Sequence, residues 1–170
     1  MSDKKKIVSV IIPAFNEENG VGKVISDLPH DLIDEVIVVN NNSNDKTSNV
    51  AKECGATVLD ERTPGYGRAC LKGMDYLKDK EKISDIVVFL DADYSDHPEQ
   101  LPNIIEPIVN NYADLVIGSR ALGKREKGSM TISTLMSRIK HDRNVELSLI
   151  TVLSRGHVRL SQKLRSARLT

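Results

Sequence analysis

The sequence predicts an α/β protein built on a mostly parallel sheet with helices on both faces. Three observations carry this. Short apolar runs at residues 7–12, 35–39, 57–59, 86–90 and 114–118 alternate with segments of helical periodicity, the pattern of strand–helix–strand units with right-handed crossovers. The runs are nearly continuous in apolar residues, as strands covered on both faces require. Conspicuous polar residues follow directly after the strands: Glu17, Asn41, Arg68, the pair Asp91 and Asp93, and Arg120. In an open α/β sheet such positions converge on one edge, where ligands bind. A cap or a turn explains any one of them, but explains five badly.

The first strand, 7–12, is stopped by Pro13, and residues 13–18 form the loop after it. Asn19 caps a helix running to about residue 28, with Val21, Val24, Ile25 and Leu28 on one face and Pro29 ending it. The second strand breaks into Asn40-Asn41-Asn42-Ser43-Asn44-Asp45, residues that favour turns and caps. Ser43 or Asp45 caps a helix over 46–54, and Gly55 fits the position just past its end. After the third strand, residues 62–73 are glycine-rich and basic and open a helix to about residue 77. Backbone N–H groups at such a helix start suit an anion, although a lone Gly-x-Gly more often marks a turn. The fourth strand ends in Asp91-Ala92-Asp93. Pro98 fits the first turn of a helix whose apolar face is Leu101, Ile104, Ile105, Ile108 and Val109. The fifth strand is followed by Ser119-Arg120.

Asp91 and Asp93 organise the reading. Two carboxylates separated by one small residue at a strand end repel unless a cation sits between them, and a divalent metal carrying a phosphate is the usual solution. The expectation is a metal-dependent enzyme that handles a nucleotide-activated substrate.

Composition sets the bounds. The chain has 170 residues, 39% apolar and 28% charged, enough for one soluble domain with a core. Lys/Arg and Asp/Glu balance at 24 each, giving no bulk preference for nucleic acid. The balance conceals an asymmetry: residues 1–120 carry a net charge of −8 and residues 121–170 a net of +8. Cys54 and Cys70 show no metal spacing and no pairing pattern, which points to a reducing, cytoplasmic setting. No apolar stretch approaches the roughly 20 residues of a membrane span, and the run after the charged N-terminus is too short for a signal peptide.

With these residues in view, the chain resembles the family 2 glycosyltransferases, which have the Rossmann-like GT-A fold. The similarity is strongest to the branch of dolichyl-phosphate mannose and glucose synthases and bacterial polyprenyl-phosphate glycosyltransferases. Ser9-Val10-Ile11-Ile12-Pro13-Ala14-Phe15-Asn16-Glu17-Glu18 is similar to that family's opening strand and loop. Residues 38–47 resemble its second loop, 65–73 its glycine-rich helix start, Leu90-Asp91-Ala92-Asp93 its metal motif and Ile117-Gly118-Ser119-Arg120 a later strand end. The resemblance implies that Pro13, Ala14, Phe15 and Glu17 line a nucleobase and ribose pocket. Asn41 stands where the family often has a base-reading aspartate, and its amide keeps the contact but not the charge. Asp91 would face the ribose or the metal, and Asp93 would bind Mg²⁺ or Mn²⁺ bridging the diphosphate. Ser95, with Asp96 beside it, occupies a position where related synthases can place a glutamine ligand. Arg68 or Arg120 would add charge to stabilise the leaving diphosphate.

The implied reaction is inverting transfer of a glucose- or mannose-class sugar from a donor such as UDP-glucose or GDP-mannose. A polyprenyl or dolichyl phosphate acceptor is already an anion and needs no strong base, whereas a hydroxyl acceptor does. A lipid acceptor would place the protein at the inner face of the membrane.

The resemblance covers about residues 7–130, and the expected nucleotide-sugar-binding catalytic domain is 1–130. Residues 131–170 form a basic tail rich in Ser, Arg and Leu. Three readings stand for it: an amphipathic solvated segment, a membrane-surface helix, or sequence foreign to the family through a frame shift or truncation. The tail keeps alive the alternative of a donor-binding fragment without an acceptor half. A sugar nucleotidyltransferase is disfavoured, because the loop at 13–18 has neither Gly nor Lys/Arg, and NAD binding is disfavoured because no Gly-x-Gly-x-x-Gly follows the first strand.

Overall fold

The computed structural model describes residues 5–118 and 150–156. In chain order these form β1 (Val8–Ala14), α1 (Val21–Ser26), β2 (Glu35–Asn40), α2 (Thr47–Glu53), β3 (Thr57–Asp60), α3 (Tyr66–Lys78), β4 (Ile86–Phe89), a 3-10 turn (Pro98–Gln100), α4 (Leu101–Val109), β5 (Leu115–Ile117) and β6 (Thr151–Ser154). The strands make one six-stranded sheet in the order β3-β2-β1-β4-β6-β5. β1 pairs in parallel with β2 and β4, and β2 with β3. β6 runs antiparallel between β4 and β5, so β5 keeps the direction of the first four strands.

All seven residues of β1 are buried, because helices cover both faces. Val21, Val24, Ile25 and Leu28, with Ala51 of α2 and Leu101, Ile105 and Ile108 of α4, pack on the face carrying Val10, Ile12, Val38 and Val88. α3 covers the other face with Ala69, Met74 and Leu77 against Ile11, Ile37, Val39 and Val87. The alternation of Ile11 and Ile12 between the two clusters is the period-2 geometry of a strand.

Three sequence expectations change. β1 runs through Pro13 to Ala14 rather than stopping at Pro13. Ile11 bonds towards β4 through its carbonyl to Leu90 N–H, and Ala14 towards β2 through its carbonyl to Asn41 N–H. Pro13 therefore faces the β4 side, where pairing has ended at Ile11–Phe89, and its missing N–H costs no ladder bond. α1 begins at Val21, after Gly20, not at Asn19. Thr151–Ser154, beyond the expected domain end at 130, lie inside the sheet. There Arg155 reaches Asp85 at 3.3 Å and Ser154 Oγ donates to Asp114 at 2.7 Å.

Candidate active site

The chain leaves β1 towards β2 on one side and returns beside it through β4 on the other. The crevice between the carboxyl ends of β1 and β4 is thus the topological switch point of the sheet. The loop holding Glu17 lines one wall and the loop holding Asp91 and Asp93 lines the other.

The first wall is braced by the loop after β2. Asn16 N–H donates to Ser43 Oγ at 3.0 Å, and Asn44 N–H returns to Asn16 Oδ1 at 2.8 Å. Glu17 N–H donates to Thr47 Oγ1 at 2.8 Å, Glu18 N–H to Asp45 Oδ2 at 3.1 Å, and Lys46 N–H to Glu18 Oε2 at 2.9 Å. These bonds take up backbone N–H groups that the sheet no longer pairs. Slight burial opposes the charge of Asp45, but the Thr47 hydroxyl and N–H, with Glu18 N–H, outweigh it and hold the carboxyl below its usual range.

The crevice is electrically strained. Partial burial, then the charges of Asp93, Asp45 and Asp91, push the Glu17 carboxyl above its usual value. These acids thus share one field at Glu17.

The second wall is tied down at three points. Gly20 packs so closely on it that a Cβ there would lie 2.4 Å from the Ala92 carbonyl oxygen. Tyr94 adopts φ of 60°, a left-handed conformation unusual for an aromatic residue. Its hydroxyl donates to Asp27 at the end of α1, and Lys23 Nζ lies 5.7 Å from its ring centroid. Asp93 Oδ1 accepts Ser95 N–H at 2.9 Å, and Asp91 Oδ1 accepts the Tyr66 hydroxyl at 3.1 Å. Burial, then the Asp91 charge, raises the Tyr66 phenol well above its usual value, so it stays a donor.

Glu17, Asp91 and Asp93 are therefore brought together, with Phe15, 57% exposed, at the same strand end. Pro13 and Ala14 are buried in β1 beneath them. Asn41 is buried, and its amide is fully used by the glycine-rich segment: Nδ2 donates to the Glu61 and Thr63 carbonyls at 3.0 and 2.8 Å, and Oδ1 accepts Gly65 N–H at 2.7 Å. Arg68 lies apart. At about 100° per residue it stands roughly 200° around α3 from Tyr66, and it lines a groove of about 570 Å³ with Glu61, Pro64, Leu71 and Lys72. Arg120 lies outside the described residues. Tyr66, Tyr94 and Asp45 are the site residues that sequence reasoning passed over. The one available signal was Tyr66 between two glycines at the start of a helix.

A model of the glycosyl transferase family 2 domain matches residues 9–162, most of the chain. The chain belongs to glycosyl transferase family 2. The match reaches past residue 130 and includes β6. Among family relatives, the UDP-N-acetylglucosamine–dolichyl-phosphate N-acetylglucosaminyltransferase of Methanococcus voltae is 29% identical, with 89% of this chain and 64% of that protein aligned. The low-salt glycan biosynthesis hexosyltransferase Agl6 of Haloferax volcanii is 33% identical over 76% of this chain and 31% of that protein. The crystal structure of Mycobacterium tuberculosis glucosyl-3-phosphoglycerate synthase with Mn²⁺, UDP and glucosyl-3-phosphoglycerate superposes with a TM-score of 0.63 at 26% identity. That superposition covers 89% of this chain and 57% of the synthase, so this family 2 chain spans less than two thirds of these relatives.

Asp91 and Asp93 are the side chains of this family 2 site that could hold a divalent cation. Among the described residues, no group of three or more His, Cys, Asp or Glu is placed to hold a metal alone. Burial first, and then the charges of Asp93, Asp45 and Asp91, raise the Glu17 carboxyl beside them, and a dication held there would offset the charge part. No helix among the described residues is long and apolar enough to cross a membrane.

Proposed function

We propose that this chain carries the donor site of a metal-dependent, inverting glycosyltransferase. It would move a glucose- or mannose-class sugar from a nucleotide-diphosphate donor to a polyprenyl or dolichyl phosphate. The observation that carries the reading is the convergence of Glu17, Asp91 and Asp93 at the switch point between β1 and β4. A UDP donor is supported by the Mycobacterium tuberculosis synthase structure with UDP, and a lipid-phosphate acceptor by the name of the Methanococcus voltae relative.

In this reading Phe15 offers an exposed ring for the base, and Glu17 meets the ribose hydroxyls. Asp91 and Asp93 would hold a divalent cation, which would supply charge neutralisation for the leaving diphosphate. The tied loops hold these carboxylates in place before the donor arrives, so little reorganisation accompanies reaction. Arg68 would reach the diphosphate only by swinging around α3, and Arg120 keeps the role proposed for it from the family resemblance.

A second reading is a chain that binds the donor without transferring it. One titration separates the two. UDP-glucose and GDP-mannose are added with Mn²⁺ or with EDTA, and transfer to polyprenyl phosphate is followed in parallel. Metal-dependent binding with transfer supports the enzyme, binding alone supports the donor-binding fragment, and absence of metal-dependent binding removes both.

A further inference from the structure

Beyond the carboxylates themselves, the site contains a connection that the family resemblance does not assign. Asn41, at the end of β2, grips the backbone of residues 61–65 at three points. Its own N–H is anchored to the Ala14 carbonyl at 2.8 Å, which fixes that grip to the end of β1. The gripped segment ends at Gly65, whose φ of 140° turns the chain into α3, and its carbonyl accepts the N–H groups of Arg68 and Ala69. The next residue is Tyr66, and its hydroxyl meets Asp91 Oδ1 at 3.1 Å. Three loops, after β2, β3 and β4, are thus joined through two side chains.

We propose that Tyr66 is a positioning residue: placed by the Asn41 grip on residues 61–65, its hydroxyl fixes the Asp91 carboxylate in the orientation that receives a nucleotide-bound divalent cation. The inference rests on the donor-site reading above. A phenol suits the task because it donates one hydrogen bond and brings no charge. It thus holds one carboxylate oxygen while leaving the anion's full charge for the cation. A Lys or Arg in its place would neutralise Asp91 and compete with the metal. Cys70, one turn further along α3, adds no competing charge, since burial and Asp91 push its thiol up to about 11.

The test is Tyr66→Phe, which keeps the ring and removes the hydroxyl. Binding of UDP and of GDP is measured by calorimetry across a Mn²⁺ series and in EDTA, in wild type, Tyr66→Phe, Asp91→Asn and the double variant. Loss of a hydrogen-bond partner behind a ligand carboxylate typically weakens metal binding about tenfold. The Mn²⁺ concentration for half-maximal nucleotide binding should therefore rise about tenfold in Tyr66→Phe, with binding in EDTA unchanged. In the Asp91→Asn background the same substitution should change binding less than about twofold, because the partner it acts on is gone. An unchanged Mn²⁺ requirement in Tyr66→Phe overturns the proposal, as does an equal loss in EDTA. A full-sized effect that survives in Asp91→Asn also overturns it. Wild-type protein with no Mn²⁺-dependent nucleotide binding would instead remove the donor-site reading itself.

Discussion

The hydroxyl of Tyr94 donates to the carboxylate of Asp27, joining the loop that follows Asp93 to the end of α1 across 67 positions of sequence. The same bond raises the Tyr94 phenol above its ordinary value, since the proton is shared with a carboxylate. The sign follows directly. The folded state holds this proton more tightly than the unfolded chain, so the tie is complete below the ordinary phenol value and is lost as pH rises through the raised one. Ultraviolet titration of tyrosinate should show Tyr94→Phe losing one late-ionising phenol relative to wild type. Tyr66 ionises late as well, so a variant curve that keeps the full wild-type late amplitude would show that Tyr94 is not one of its sources.

Asp93 sits at the centre of the proposed donor site, with Ser95 N–H bonded to one oxygen and its charge felt by Glu17. Asp93→Ala removes a carboxylate that would hold the cation. Metal-dependent binding of UDP-glucose or GDP-mannose should fall at least tenfold, to about the level seen in EDTA. Calorimetry in Mn²⁺ measures this, and retained metal-dependent affinity would overturn the assignment of Asp93.

Gly20 lets α1 approach the Ala92-Asp93 backbone. A Cβ at this position would meet the Ala92 carbonyl oxygen at 2.4 Å, a rigid backbone contact rather than a side-chain tip. Gly20→Ala should therefore cost about 1–3 kcal/mol by overpacking, read as a lower urea midpoint. Since the displaced atoms carry Asp93, metal-dependent nucleotide binding should weaken as well.

The fold was legible where one element's chemistry was local. The apolar runs around Ile11, Val38 and Val88 are continuous because both faces are covered, and with the helical segments alternating between them they pointed to a mostly parallel sheet. The grouping of Glu17, Asp91 and Asp93 at one sheet edge was legible because charge at a strand end has few structural explanations. The short run Thr151–Ser154 was not legible. Its partners in β4 and β5 lie far away in sequence, and its basic surroundings read as a tail outside the catalytic domain, although Arg155 is matched by Asp85 only in three dimensions. Nor could Asn41 be separated from a base-reading residue by type, since an amide suits a base edge and a backbone grip equally well. What distinguishes the two is that both its donors and its acceptor are already taken.

That occupancy makes a prediction of its own. Asn41 is 7% exposed, and Asn41→Asp keeps the shape while removing the two donors. The Glu61 and Thr63 carbonyls would then face a carboxylate, at about 1–3 kcal/mol for each group left without its donor. Urea unfolding should show the loss even without nucleotide. A variant as stable as wild type would mean that the amide does not hold the segment before Tyr66.

Glu17 gives the opposite sign. Its carboxyl is raised above 4.5 by partial burial and by the charges of Asp93, Asp45 and Asp91. The folded site therefore favours its neutral form. The penalty for its charge is absent below the ordinary value and fully present once pH has risen through the raised one. Glu17→Gln should then stabilise the nucleotide-free protein at neutral pH by roughly a few tenths of a kcal/mol, the scale of solvent-screened charge interactions. That gain should fade on acidification through the carboxylate range, and thermal unfolding across pH measures it. The same substitution should weaken UDP binding in Mn²⁺, because the field that destabilises the empty crevice is the field that receives the cation. A variant that is less stable than wild type at neutral pH would mean that Glu17 is held by favourable contacts rather than strained by its neighbours.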